Sequence, residues 1–238
     1  MEQEGKFHLY LLIGQSNMAG RGQVEPQDRE AHPRVFMLDK AVKWAPAADP
    51  LHFDKPIAGV GPGLTFGRIM ADREPSIRVG LIPCAAGGSP ISVWKHGGFW
   101  EQTNSKPYDD TIERTGIAMK DGVLKGILWH QGESDSNEND AELYEDRLVD
   151  LINTLRKELK APDVPFIAAT LGDFVVEGNP HARVVNEALR RIPQRVKNTA
   201  YVDSSGLEHK GDNVHFSAES ARELGRRYAE AMIRLLAQ

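Results

Sequence analysis

Six short apolar runs recur along the chain, and helical patterns stand between several of them. That alternation constrains the fold more than any other feature. The runs are FHLYLLI, RVFMLD, IRVGLIP, GILWHQ, VPFIAATL and TAYVD. A short apolar run with an abrupt stop reads as a strand buried on both faces. The helical patterns are Leu64 to Asp72, Ala141 to Leu159, Pro180 to Val196 and Ala218 to Leu236, the last with Ser217 placed to cap it. Strands alternating with helices predict a parallel sheet covered on both faces. The chain has 238 residues, 40% of them hydrophobic, enough for a sizeable core. No repeat, low-complexity segment or linker divides it, so one domain over residues 1–238 is expected. The irregular stretches Gln23 to Gly63 and Gly87 to Tyr108 are then expected to be functional loops.

Charge narrows the partners. Lys and Arg number 29 against 34 Asp and Glu, a net charge of -5, and no basic block appears. Nucleic acid is therefore not an expected partner. No apolar run reaches the length of a membrane span, so no membrane partner is expected. The opening MEQEGKFH is not a signal peptide, lacking a basic segment followed by an apolar core. A cytoplasmic location follows if the chain is full length, and a secreted or periplasmic one if a leader was trimmed. Cys84 is the sole cysteine, which leaves no internal disulfide, and its place at the end of an apolar run predicts a buried structural thiol.

The first run ends in LYLLIGQSNMAGRG, residues 9 to 22. Open α/β sheets bind ligands beyond the carboxyl ends of their strands, which places Ser16 where chemistry is usually done. Three further clusters of small or polar residues stand in comparable places: Ala85 to Ser89, His130 to Ser134, and Asp212 to His215 before the closing helix. Together they supply a hydroxyl, an imidazole, carboxylates and amide donors, the inventory for acyl transfer through a serine. Taken singly, each has a plainer reading: Ser16 as a helix cap, Gly87 and Gly88 as turn residues, and Asp212 with His215 as a surface turn. GVGPGLTFG, residues 59 to 67, superficially matches a nucleotide loop, but it follows no clear strand and lacks the Lys-Ser/Thr pair. HQGE and HKGDNVH offer no third and fourth ligand at metal-site spacing, so neither a metal nor another cofactor is expected.

In this order the four clusters resemble the blocks of the SGNH hydrolase superfamily. More narrowly, GQSNM, the GGS block, WHQGESD and DxxH are similar to the sialate O-acetylesterase and carbohydrate esterase family six group, which includes acetylxylan esterases. The resemblance runs from Leu11 to His215. Gln131 stands where many members of the superfamily have Asn, a departure typical of the carbohydrate esterase branch.

The resemblance implies a three-layer, flavodoxin-like α/β/α sandwich around a roughly five-stranded parallel sheet, and an enzyme that removes O-acetyl groups from sugars. Ser16 would be the nucleophile, His215 its base, and Asp212 the acid that orients the imidazole. Glu133 enters as a second acid on the same imidazole, with the principal acid of the two left open, or as an acceptor of backbone N–H groups that stabilises its own loop. Candidate oxyanion donors are the backbone N–H of Ser16 or Asn17, the N–H of Gly88 and the side-chain amide of Gln131. The aromatic faces of Trp44, Trp94 and Trp100, with His96, are expected to meet an acetylated sugar; anchoring of the loop is the alternative for Trp94 and Trp100. Two rival functions remain on the same scaffold: a lipid or thioester hydrolase, and a non-catalytic carbohydrate-binding protein.

Overall fold

The computed structural model describes residues 6–237. The predicted alternation is present as a seven-stranded sheet, β1 (Phe7–Gly14), β2 (Val35–Leu38), β3 (Trp44–Pro46), β4 (Arg78–Pro83), β5 (Val123–His130), β6 (Phe166–Ala169) and β7 (Thr199–Val202). Its order is β3-β2-β4-β1-β5-β6-β7. All pairings are parallel except β2 with β3, so the sheet exceeds the expected five strands. The unexpected member, β3, has three residues and lies antiparallel on the edge, too short to show a period in the sequence.

The helices are α1 (Ser16–Ala19), α2 (Pro26–Arg29), α3 (Gly63–Arg73), α4 (Pro107–Ala118), α5 (Tyr144–Glu158), α6 (Asp173–Val176), α7 (Pro180–Arg195) and α8 (Ala218–Leu236). Helices α3 and α8 cover one face of the sheet, while α4, α5 and α7 cover the other. Ser217 caps α8 as expected, its side chain accepting the N–H of Ser220 at 3.2 Å. Helix α4 is absent from the periodic pattern because Thr111, Arg114 and Thr115 occupy its buried face. Arg114 spends its guanidinium on the carbonyls of Leu38 and Asp39, tying α4 to the end of β2. Among the described residues no helix is long and apolar enough to cross a membrane.

Strand β1 is the axis of the molecule. Leu9, Leu11 and Ile13 enter one core, Tyr10 and Leu12 the other, and all five are fully buried. That alternation explains the continuous apolar run, since neither face meets water. The strand also sits between β4 and β5, so its carboxyl end opens at the middle of the sheet edge. Leu11→Ala should lower unfolding free energy by about 2–5 kcal/mol, the usual loss for emptying a fully buried site. Chemical denaturation measures it; a change under about 0.5 kcal/mol, the scale of surface substitutions, would contradict this central placement.

Candidate active site

Beyond its end, β1 is pressed against β5. Gly14 pairs with His130, and the N–H of Gln15 donates to the His130 carbonyl at 2.9 Å. A Cβ on Gly14 would fall on that carbonyl oxygen, and its φ of 132° is one that L side chains rarely adopt. Only glycine lets the chain turn here. The turn leads directly into α1, whose first residue is Ser16.

Ser16 Oγ lies 3.0 Å from Nε2 of His215, and Nδ1 of the same ring lies 2.7 Å from Asp212 Oδ2. The Asp-x-x-His spacing works because the segment folds back on itself. Asp212 Oδ1 accepts the N–H groups of Val214 at 3.0 Å and His215 at 2.9 Å, freeing Oδ2 for the ring. Burial pushes the Asp212 carboxyl up, but the His215 N–H and ring and the Val214 N–H outweigh it and hold the carboxyl well below the usual range. A hydroxyl, an imidazole and an ionised carboxylate thus form one hydrogen-bonded chain, an arrangement able to remove and return a proton.

Asn17 brings this loop to the sheet. Its Nδ2 donates to the Val214 carbonyl at 3.0 Å, and its Oδ1 accepts the Phe216 N–H at 3.1 Å. The sequence points only to the backbone N–H of Asn17; the part its side chain plays is visible in the fold alone. Phe216 in turn packs edge-on against His130 and Phe174.

The second cluster is held from three sides. Asp54 accepts the Gly87 N–H at 2.9 Å, Trp100 Nε1 donates to the Gly87 carbonyl at 3.0 Å, and Ser134 Oγ donates to the Gly88 carbonyl at 2.8 Å. Ser16 and Asn17 open a helix, so their N–H groups find no acceptor within it.

The roles expected of two polar side chains need correction. Glu133 does not reach His215, whose ring nitrogens are taken by Ser16 and Asp212. Instead its Oε1 accepts from Asn17 Nδ2 at 2.6 Å and stands 3.7 Å from the buried His130. Glu133 therefore braces the turn that carries the serine. The Gln131 amide is likewise committed elsewhere: Nε2 lies 2.6 Å from Asp135 Oδ2, 3.0 Å from the Ser89 carbonyl and 3.2 Å from Gln15 Oε1. With no exposure and three protein acceptors, it joins the three clusters rather than facing an oxyanion. Burial raises the Asp135 carboxyl, opposed by the Gln131 amide and by the Ile91 N–H.

The ring residues divide. Trp94 is core, edge-on to Trp129 with its Nε1 donating to Ser89 Oγ at 3.0 Å. Trp44 packs on Phe7 and donates to Asp121, at the amino ends of β1 and β5, away from Ser16. His96 is exposed and bonded to Asp109 and Glu158, so it pins its loop to α4 and α5. Trp100 alone of the four borders the site, half-buried above Gly87. Cys84 is half-buried rather than enclosed, facing a cavity of about 420 Å³ that Arg114 and Asp110 also line, and burial pushes its thiol up to about 11. Among the described residues, no three His, Cys, Asp or Glu side chains are grouped as a metal ion would require.

A family model described as carbohydrate esterase, sialic acid-specific acetylesterase matches residues 6–234. The chain belongs to this family. Its members are carboxylic ester hydrolases, and membership supports carbohydrate deacetylation. A probable carbohydrate esterase of Arabidopsis thaliana is 32% identical over 246 residues, covering 94% of this chain and 90% of the relative. The X-ray structure of that plant protein superposes with a TM-score of 0.84 over 95% of this chain and 98% of its own. The fold is shared with NanS, at a TM-score of 0.80 and 19% identity over 98% and 99% of the two chains. It is also shared with a carbohydrate acetylesterase from Xanthomonas citri, at 0.74 and 19% identity over 95% of this chain and 56% of that one.

Within this acetylesterase fold Gln131 is read as a brace. Gln131→Ala should then cost about 1–3 kcal/mol of stability, because buried partners lose their donor. Thermal and chemical unfolding measure it. Unchanged stability with a turnover loss of 10²-fold or more would return Gln131 to the role of oxyanion donor.

Proposed function

We propose that the protein is a serine O-acetylesterase acting on acetylated carbohydrate through an acyl-enzyme. The observation that carries this reading is the unbroken chain from Ser16 Oγ through the His215 ring to Asp212. A serine hydroxyl is a weak nucleophile at neutral pH, and a hydrogen-bonded imidazole is the usual means of activating it.

Ser16 attacks the acetyl carbonyl as His215 takes its proton on Nε2. Asp212, accepting at Nδ1, fixes the ring's tautomer and offsets the positive charge that develops on it. The tetrahedral intermediate places a negative charge on the former carbonyl oxygen. Its donors in this proposal are the backbone N–H groups of Ser16 or Asn17 and of Gly88, fixed before the substrate arrives. His215 then returns the proton to the sugar oxygen as it leaves. Water repeats the sequence on the acetyl-serine and releases acetate. In this proposal Trp100, bonded to the Gly87 carbonyl, supplies an aromatic face for the sugar.

Ser16→Ala should lower turnover by about 10⁴-fold or more while the protein folds normally. Asp212→Asn should cost on the order of 10⁴-fold, since the wrong tautomer is then favoured. Glu133→Gln should cost far less, its partner being Asn17 rather than the imidazole. Acetate release from acetylated xylan and O-acetylated sialic acid measures these losses, with a long-chain ester as comparison. Full activity in folded Ser16→Ala would end the serine mechanism. Preference for the long-chain ester would end the carbohydrate assignment.

A further inference from the structure

Arg21 and Asp54 form an ion pair whose side chains are only 2% and 1% exposed, with Nη2 and Oδ2 at 2.7 Å. Nothing in the proposed proton path uses it. Burying both charges carries a desolvation cost that an apolar pair of similar volume would avoid. Its contacts therefore bear on what it does.

Arg21 lies one residue beyond Gly20, where the serine helix ends. Its Nη1 donates back to the Gly20 carbonyl at 2.7 Å, while that carbonyl also accepts the Gly59 N–H at 3.0 Å. Asp54 Oδ2 receives both the guanidinium and, at 2.9 Å, the N–H of Gly87. A Cβ on Gly87 would strike Arg21 Nη2 and Asp54 Oδ2, so glycine there makes room for the pair itself. The same segment supports the turn twice more. His52 Nδ1 accepts the Ala85 N–H at 3.3 Å, so side chains at 52 and 54 take alternate N–H groups of the 85–87 stretch. Lys55 Nζ holds Gln102 Oε1 at 2.7 Å, and Gln102 lies directly against Gly88.

We propose that the Arg21–Asp54 pair is a positioning clamp that locks the serine turn and the Gly87–Gly88 turn together, aiming the Gly88 N–H at the oxyanion. The clamp rests on the serine-esterase reading. Asp54 touches no reacting atom; it acts through Gly87, whose peptide carbonyl leads into the Gly88 N–H. Trp100 Nε1 holds the Gly87 carbonyl of that plane, while Asp54 fixes the preceding one through the Gly87 N–H; loss of the Asp54 acceptor frees the Ala86–Gly87 peptide to turn and shifts the Gly88 N–H that follows it. A displacement near 1 Å at such a donor is enough to cost roughly 10²-fold in rate.

The test uses two variants and 4-nitrophenyl acetate as probe. Asp54→Ala removes both the charge that holds Arg21 and the acceptor of the Gly87 N–H. The double variant Arg21→Met with Asp54→Leu replaces the pair by apolar groups, a change that stability usually tolerates. For both, kcat should fall by roughly 10- to 100-fold while KM stays within about threefold. Inhibition by a small alkylboronic acid, which forms a tetrahedral adduct on serine, should weaken in parallel with kcat. A merely structural pair would lower the melting temperature and leave kcat per folded molecule unchanged. A folded double variant with wild-type kcat and boronate affinity overturns the clamp. If the double variant does not fold, Asp54→Ala decides by the same readouts. Full activity in Ser16→Ala would instead remove the reading beneath the proposal, so the two failures are distinguishable.

Discussion

The backbone of Gly14 runs so close to the carbonyl of His130 that no side chain can stand between them. Everything at the site depends on that contact. It joins the central strand to its neighbour at the point where both end, and it turns the chain so that Ser16 begins a helix within one residue of the turn. Because β1 is buried on both faces, the turn inherits the rigidity of the whole sheet. The four polar clusters are far apart in sequence. The parallel sheet gathers the first three at its carboxyl edge, and Asn17 draws the fourth to them.

What holds the site is a set of buried polar groups bonded to one another. Asn17 binds the loop of the His215 imidazole on one side and Glu133 on the other. Gln131 reaches Gln15, Ser89 and Asp135, so each of the first three clusters donates or accepts within a single network. Such networks are costly when incomplete and rigid when complete. The geometry at this sheet edge is thus set by polar bonds as well as by the aromatic packing of Trp94 and Phe216, and the proposed mechanism would draw on dipoles already in place.

Much of this was legible in the sequence. The six longer strands, the helices α3, α5, α7 and α8, and the Ser217 cap follow from apolar period and stop signals. Helix α4 was not legible, because Thr111, Arg114 and Thr115 fill its inward face and erase the period. The Ser16, Asp212 and His215 grouping could be read from motif order, and Asp-x-x-His could be read locally since the loop folds on itself. The partners of Glu133 and Gln131 could not. A carboxylate or amide in a conserved-looking block has several acceptors and donors in reach, and only the paths of Asn17 and Asp135 decide among them. Trp94 illustrates the same limit: an aromatic residue in an irregular loop looks available to a sugar until Trp129 is found beneath it. Arg21 and Asp54 were hidden because their pairing spans an aperiodic loop.

The proposed mechanism stands on one group: the hydroxyl of Ser16, joined to His215 and Asp212, as the atom that forms the acyl-enzyme. The most direct measurement is covalent capture: the folded protein is treated with a small fluorophosphonate, digested, and the modified residue located by mass spectrometry. One phosphonylated serine, Ser16, is expected, with acetyl-ester hydrolysis lost in proportion to labelling. An adduct on Ser89 or Ser134 in its place, or an active enzyme that takes no label, would contradict it.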